Sequence, residues 1–248
     1  MRRRTTLISW PQRDPRHCRF AMPNTVWEYK PKPVEFLIFS YLCYYDSTDF
    51  PALESIATGV QMAATTVKKY LGSLAVKGLI NKDGTPMLKC KATNFFTLPN
   101  EVFLLHLPPS AFLVYAYLLL IEDRKTHTCH PSYNTIATVA GLAKNTAMKS
   151  INTLLEMGLI AVESSNYFDK HGMKWKGNNL YTILPVGVAM DAFYQRQLHQ
   201  LELDAERRYI LRQQVEYGHC HPRDALCAPI PAPAASDLSQ QCKPLYGR

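Results

Sequence analysis

The chain repeats itself, and that constrains its fold more than any other feature. Phe20-Ala-Met-Pro-Asn24 returns as Phe96-Thr-Leu-Pro-Asn100, and Phe36-Leu-Ile-Phe-Ser-Tyr-Leu42 returns as Phe112-Leu-Val-Tyr-Ala-Tyr-Leu118, both at an offset of 76 residues. Ser55-Ile-Ala-Thr58 matches Thr135-Ile-Ala-Thr138, and Gly78-Leu-Ile80 matches Gly158-Leu-Ile160, at an offset of 80, so a four-residue insertion separates the matched blocks. A fixed period means one structural unit used twice. A unit of about 80 residues is too long for a solenoid repeat and suits a small domain.

Hydrophobic residues make up 47% of the 248, enough for two modest cores and too many for a disordered chain. The formal net charge of +8 is unevenly spread. Residues 1–32 hold Arg2, Arg3, Arg4, Arg13, Arg16, Arg19, Lys30 and Lys32 against only Asp14 and Glu28. A basic N-terminal arm over residues 1–19 on nearly neutral domains suggests an anionic partner. No apolar stretch follows Arg2-Arg-Arg4, so the arm does not read as a secretion signal. The longest apolar run, residues 111–121, falls well short of the ~20 residues that span a bilayer. Seven cysteines without C-x-x-C spacing argue against a disulfide framework, and the expected location is cytoplasmic.

In the second copy, Pro108-Pro109 precedes a predicted helix over residues 110–121, apolar all round as a mostly buried helix should be. Ser132 caps a short helix with Ile136, Ala137 and Val139 facing inward, and Gly141 supplies the left-handed backbone that a tight turn needs. The next helix is expected over residues 145–157, burying Ala147, Ile151, Leu154 and Leu155 and exposing Asn145, Thr146, Lys149, Asn152 and Thr153. Strands over 159–163 and 180–184 then flank a polar tip at 169–177. The first copy gives the same order, with helices over 34–45, 53–58 and 65–77, Val67, Leu71, Leu74 and Ala75 buried, and a shorter turn at Asp83-Gly84. It lacks the turn glycine, because Gln61 stands where Gly141 does, so its turn should be strained or reshaped. Helix, helix-turn-helix, hairpin is the order of a winged helix.

Leu107-Pro-Pro-Ser-Ala-Phe-Leu-Val-Tyr-Ala-Tyr-Leu118, Cys129-His-Pro-Ser-Tyr-Asn-Thr-Ile-Ala137, Gly141-Leu-Ala-Lys-Asn-Thr146 and Leu155-Glu-Met-Gly-Leu-Ile160 resemble the core pattern of winged helix-turn-helix proteins. These occur among bacterial regulators and the replication proteins of plasmids and integrative elements. The resemblance spans residues 96–184 directly and 20–95 through the repeat. It departs where Ala63 and Ala143 replace the usual Ser or Thr cap, forgoing roughly 1 kcal/mol each. It implies a mainly α protein with small β-hairpin wings (α+β), with winged-helix domains over 20–95 and 96–185. Beyond them, Pro185 and Gly218 bracket an expected C-terminal helix over 186–218, and the Pro/Ala-rich stretch at 228–235 marks an expected disordered tail over 219–248. The function that the resemblance implies is sequence-specific binding of double-stranded DNA by a transcriptional regulator. A replication initiator on origin repeats is the alternative, and a protein-binding scaffold a third.

DNA contact needs cations for phosphates and amides or hydroxyls for base edges. The third helix of copy two offers Lys144, Asn145, Thr146 and Lys149; that of copy one offers Thr65, Thr66, Lys68 and Lys69; the wing tip offers Lys170, His171, Lys174 and Lys176 around Trp175. Thr65-Thr66-Val67-Lys68 and Asn145-Thr146-Ala147-Met148 present different groups, which points to a direct or asymmetric site rather than a perfect palindrome. No nucleotide-binding glycine motif is present, and no catalytic role or cofactor is expected. His219-Cys220-His221 follows a polar helix and runs into Pro222, and His127, Cys129 and His130 have no fourth ligand at zinc spacing, so no metal is expected. In the C-terminal helix, Tyr194, Leu198, Leu201 and Ala205 keep a 4-3-4 spacing, either to pack on copy two or to form a homodimer seam.

Overall fold

The computed structural model describes residues 19–45, 51–81, 83–88, 90, 94–168 and 174–218. The described chain is mainly helical with two small antiparallel sheets. Copy one runs strand β1 (Arg19–Pro23), a 3-10 turn (Asn24–Tyr29), then helices α1 (Pro33–Tyr44), α2 (Leu53–Gly59) and α3 (Ala64–Val76). Copy two runs β2 (Phe95–Pro99), a 3-10 turn (Asn100–Leu105), α4 (Pro109–Ile121), β3 (Thr128–Cys129), α5 (Tyr133–Ala140) and α6 (Lys144–Glu156). A ribbon of β4 (Ile160–Phe168) and β5 (Lys174–Ile183) leads into α7 (Val186–Gly218), with β3 pairing on the free side of β5. Prolines at the first position of α1 and α4 preset helical φ where no backbone N–H is needed.

The two copies are built alike in detail. Leu142 N donates to Ala137 O at 2.9 Å, as Met62 N does to Ala57 O, and Leu159 N donates to Leu154 O at 3.0 Å, as Leu79 N does to Leu74 O. Gly78 and Gly158 end α3 and α6 at φ 73° and 74°. Gln61 adopts φ 52° where Gly141 has 61°, so the turn in copy one keeps its shape and bears the strain, about 1–2 kcal/mol for a left-handed non-glycine. Gly59 has its own reason: a Cβ there would run into the Tyr41 ring.

Several expectations need correction. Leu155 and Val139 are exposed, at 47% and 38%, and Ala75 is exposed too; Ala140 and Ser150 point inward instead. Each misread residue lies at the flank of its apolar stripe, where one position rotates a side chain out of the core. The wing is longer than expected. Its strands reach Phe168 and return from Lys174, so Trp175 pairs opposite Tyr167 and Lys176 opposite Asn166 as strand residues. A register shift between Ser164 and Asn166 marks a bulge.

The copies meet across a reciprocal seam. β1 and β2 pair antiparallel with Phe20 opposite Leu98, Ala21 opposite Thr97 and Met22 opposite Phe96. The central partners, Ala21 and Thr97, are equivalent residues of the repeat. Behind the strands α1 packs on α4, and the equivalent rings of Phe36 and Phe112 touch at 5.9 Å. Trp27 meets Tyr117 edge-on at 5.8 Å, and the mirror pair Phe103 and Tyr41 meets edge-on at 5.3 Å. One continuous core therefore runs through both copies.

Residues 1–196 and 197–248 are two units. Within the first, α7 begins by burying Ala189 and Met190, and Arg196 donates to Glu156 O at 3.3 Å and to Met157 Sδ at 3.2 Å. The start of α7 thus packs on copy two. Within the second, Leu198, Leu201, Tyr209, Ile210 and Leu211 are exposed, and Gln200 and Arg207 contact Asp204 along the helix.

Candidate nucleic-acid interface

Helix α6 is aimed by α5 and the turn at Gly141. Ser132 Oγ accepts from Thr135 N at 3.0 Å and fixes the start of α5, while Ile136, Ala137 and Ala140 anchor it inward. Gly141 in the left-handed conformation then turns the chain, with its N–H donating to Thr138 O at 3.3 Å. Helix α6 buries Ala147, Ser150, Ile151 and Leu154, three or four residues apart. The opposite face presents Lys144, Asn145, Met148, Lys149 and Asn152, with Thr146 half-buried at its edge.

Helix α3 repeats the arrangement. Val67 and Leu74 are buried, Leu71 is half-buried, and Thr65, Lys68 and Lys69 are exposed with Thr66 at the edge. Lys69 Nζ lies 6.0 Å from the centre of the Tyr70 ring. Neither helix has an acidic residue in its first turn, and neither Ala63 nor Ala143 caps it with a side chain. Their leading N–H groups thus keep the partial positive charge that suits a phosphate oxygen. Among the described residues, Lys68, Lys69, Lys144 and Lys149 are in no ion pair. All eight helix residues expected at the interface therefore lie on two equivalent surfaces, one per copy.

The wing residues divide. Lys174 and Lys176 stand in β5, whereas Lys170 and His171 lie outside the described residues. Sequence reasoning missed a polar notch beside α6, a cleft of about 260 Å³ between the start of α5, Lys144 and the base of β5. Ser132, Asn134 and Asn178 line it, and Asn179 Nδ2 donates to Tyr133 Oη at 3.0 Å. The same amide lies 3.4 Å from the Tyr181 hydroxyl, a phenol whose pKa burial pushes up. The Asn178-Asn179 pair, just ahead of the strand expected over 180–184, was the available signal.

Lys77 is a cation of another kind. Its ammonium sits 2.6 Å from Glu35 Oε2, and that fully buried carboxylate also accepts from Ser73 Oγ and Lys32 N, each at 2.7 Å. Burial alone would raise the Glu35 pKa, but these donors outweigh it and hold the carboxyl below its ordinary value. Of the other residues weighed, burial pushes the Cys129 thiol up to about 12, and His127 Nδ1 lies 3.3 Å from Glu122. Among the described residues no cluster of His, Cys, Asp or Glu could hold a metal ion, and no helix is long and apolar enough to cross a membrane. His219-Cys220-His221 lies outside them.

No curated protein matches the chain. Among solved structures, a possible transcriptional regulator from Methanosarcina mazei Go1 aligns at 16% identity with a TM-score of 0.30, over 48% of this chain and 92% of its own. Residues 105–160, from the end of the second 3-10 turn through α4, α5, Gly141 and α6, match the model of a helix-turn-helix domain.

Proposed function

We propose that the protein binds double-stranded DNA sequence-specifically through two winged helix-turn-helix units, with α6 and α3 as the helices that enter the major groove, and acts as a transcriptional regulator. One observation carries the reading. Two equivalent helices each pair an acid-free, uncapped N-terminus with exposed lysines and short polar side chains, and one of them lies within a helix-turn-helix domain. Lysines and helix ends serve phosphates, whereas Asn145 and the threonines suit base edges. The ribbon β4–β5 acts as a wing beside α6 and carries Lys174 and Lys176 to the duplex.

Selection from random duplexes with the full chain tests this. An enriched sequence should be bound far more tightly than random DNA. Changing Asn145 or Thr146 to Ala should cost about 1–3 kcal/mol on that sequence and little on random DNA. Equal losses on both would show that these side chains do not read bases.

A further inference from the structure

We propose that the DNA target is an imperfect inverted repeat, its two half-sites in opposite orientation and occupied by a single chain. The inference rests on the DNA-binding reading above and adds the polarity and stoichiometry of the target. The seam between the copies carries it. A contact in which residue i of one unit meets j of the other, while j of the first meets i of the second, is the mark of a two-fold rotation. The strand register and the central ring contacts have this property. Phe20 faces Leu98 while Met22 faces Phe96, and Trp27 meets Tyr117 while Tyr41 meets Phe103. Two self-equivalent pairs, Ala21 with Thr97 and Phe36 with Phe112, lie on the axis itself.

A head-to-tail arrangement, the one that suits direct repeats, cannot make these contacts. Translation would bring different patches together, with no residue meeting its own equivalent. The rotation also extends to the DNA-facing helices. Each is fixed to its own first helix by packing (α3 on α1, α6 on α4) and to its own second helix by matching turns. The axis that exchanges α1 and α4 therefore exchanges α3 and α6. Duplex DNA has local dyads across its axis, so two helices related by a two-fold read opposite strands on either side of a centre. The half-sites are not identical, because Thr65 stands where Asn145 does and Lys68 where Met148 does. Their centres should lie about 10–10.5 bp apart, or a multiple of that.

The test uses the full chain on its selected duplex. Photoreactive benzoylphenylalanine replaces the equivalent exposed residues Lys68 and Met148 in separate variants, and the crosslinked nucleotides are mapped by strand. The expected result is one strand for Lys68 and the other for Met148, at equal distances from the centre. Crosslinks on the same strand would overturn the proposal. So would Met148 crosslinks on both strands, which mean two chains, or crosslinks from Met148 alone, which mean one-headed binding. As an independent readout, reversing one half-site to a direct repeat should weaken binding about tenfold or more; unchanged affinity overturns the inverted arrangement. A chain that retains no duplex during selection sinks the DNA-binding reading itself, an outcome separate from all of these.

Discussion

Glu35 shows how one residue can hold an element in place unannounced. Its carboxylate ties the start of α1 to Ser73 and Lys77 at the end of α3, so a buried charge fixes the helix proposed to face DNA. Copy two has Ala111, Thr153 and Met157 at the equivalent positions and does without the charge. Changing Lys77 to Met should therefore cost about 3–5 kcal/mol in urea denaturation, because it strands a buried carboxylate. Adding Glu35→Ala to that variant should recover most of the loss, since copy two packs apolar groups there. The lowered pKa also sets a pH window. A carboxyl that is more acidic folded than unfolded contributes stability above its unfolded value, near 4.5, and that contribution fades as pH falls through the lowered value. Wild type should lose more stability between pH 6 and pH 3 than Glu35→Gln does. Nothing in the sequence around Glu35 betrayed this cluster, because its side-chain partners, Ser73 and Lys77, lie 38 and 42 residues away.

At the scale of elements, the helices were legible because apolar spacing reports the buried face directly, and each of the six expected within the repeats appears within a residue or two of its place. Stripe edges such as Leu155 and Val139 were not, since periodicity cannot say how wide the neighbouring surface is. The wing was read short because Lys174-Trp-Lys176 looks like a loop by polarity, whereas antiparallel pairing rests on backbone hydrogen bonds that polarity does not report. Gly72 offers a clean check on α3. It lies inside an exposed helical face, and an added Cβ would meet nothing within 4 Å, so Gly72→Ala should stabilise the protein by about 0.5–1 kcal/mol. The basic arm belongs at this scale too. Arg19, counted with it by composition, is engaged in β1, donating to Thr97 Oγ1 and Thr97 O at 3.0 Å each. Deleting residues 2–18 should therefore leave the sheet intact while weakening binding to every duplex. The salt dependence should flatten by roughly 0.9 per lost phosphate contact, and an unchanged slope in a salt titration would leave the arm without a role in binding.

For the molecule as a whole, the repeat in the sequence announced two units but not how they join. Strands of five residues whose partners lie some 76 positions away leave no local trace, so the pairing of β1 with β2 emerged only from the structure. Because the core is shared, the seam should be sensitive from either side. Phe36→Ala and Phe112→Ala should each cost about 3–5 kcal/mol, and a single cooperative unfolding transition should shift in both variants. Two transitions moving separately would show that the copies unfold independently.

The reciprocal seam also bears on dosage. Two identical subunits that must first find each other fill a two-part site with the square of their concentration, and every substitution appears in both halves at once. Here the seam is closed within one chain, so the proposed two-part site would fill with the first power of concentration, a shallow response rather than a threshold. Each half is free to drift alone. On the proposed target such a chain would behave as a heterodimer that never has to sort its partners, and one half-site could be retuned while the other still anchored the protein.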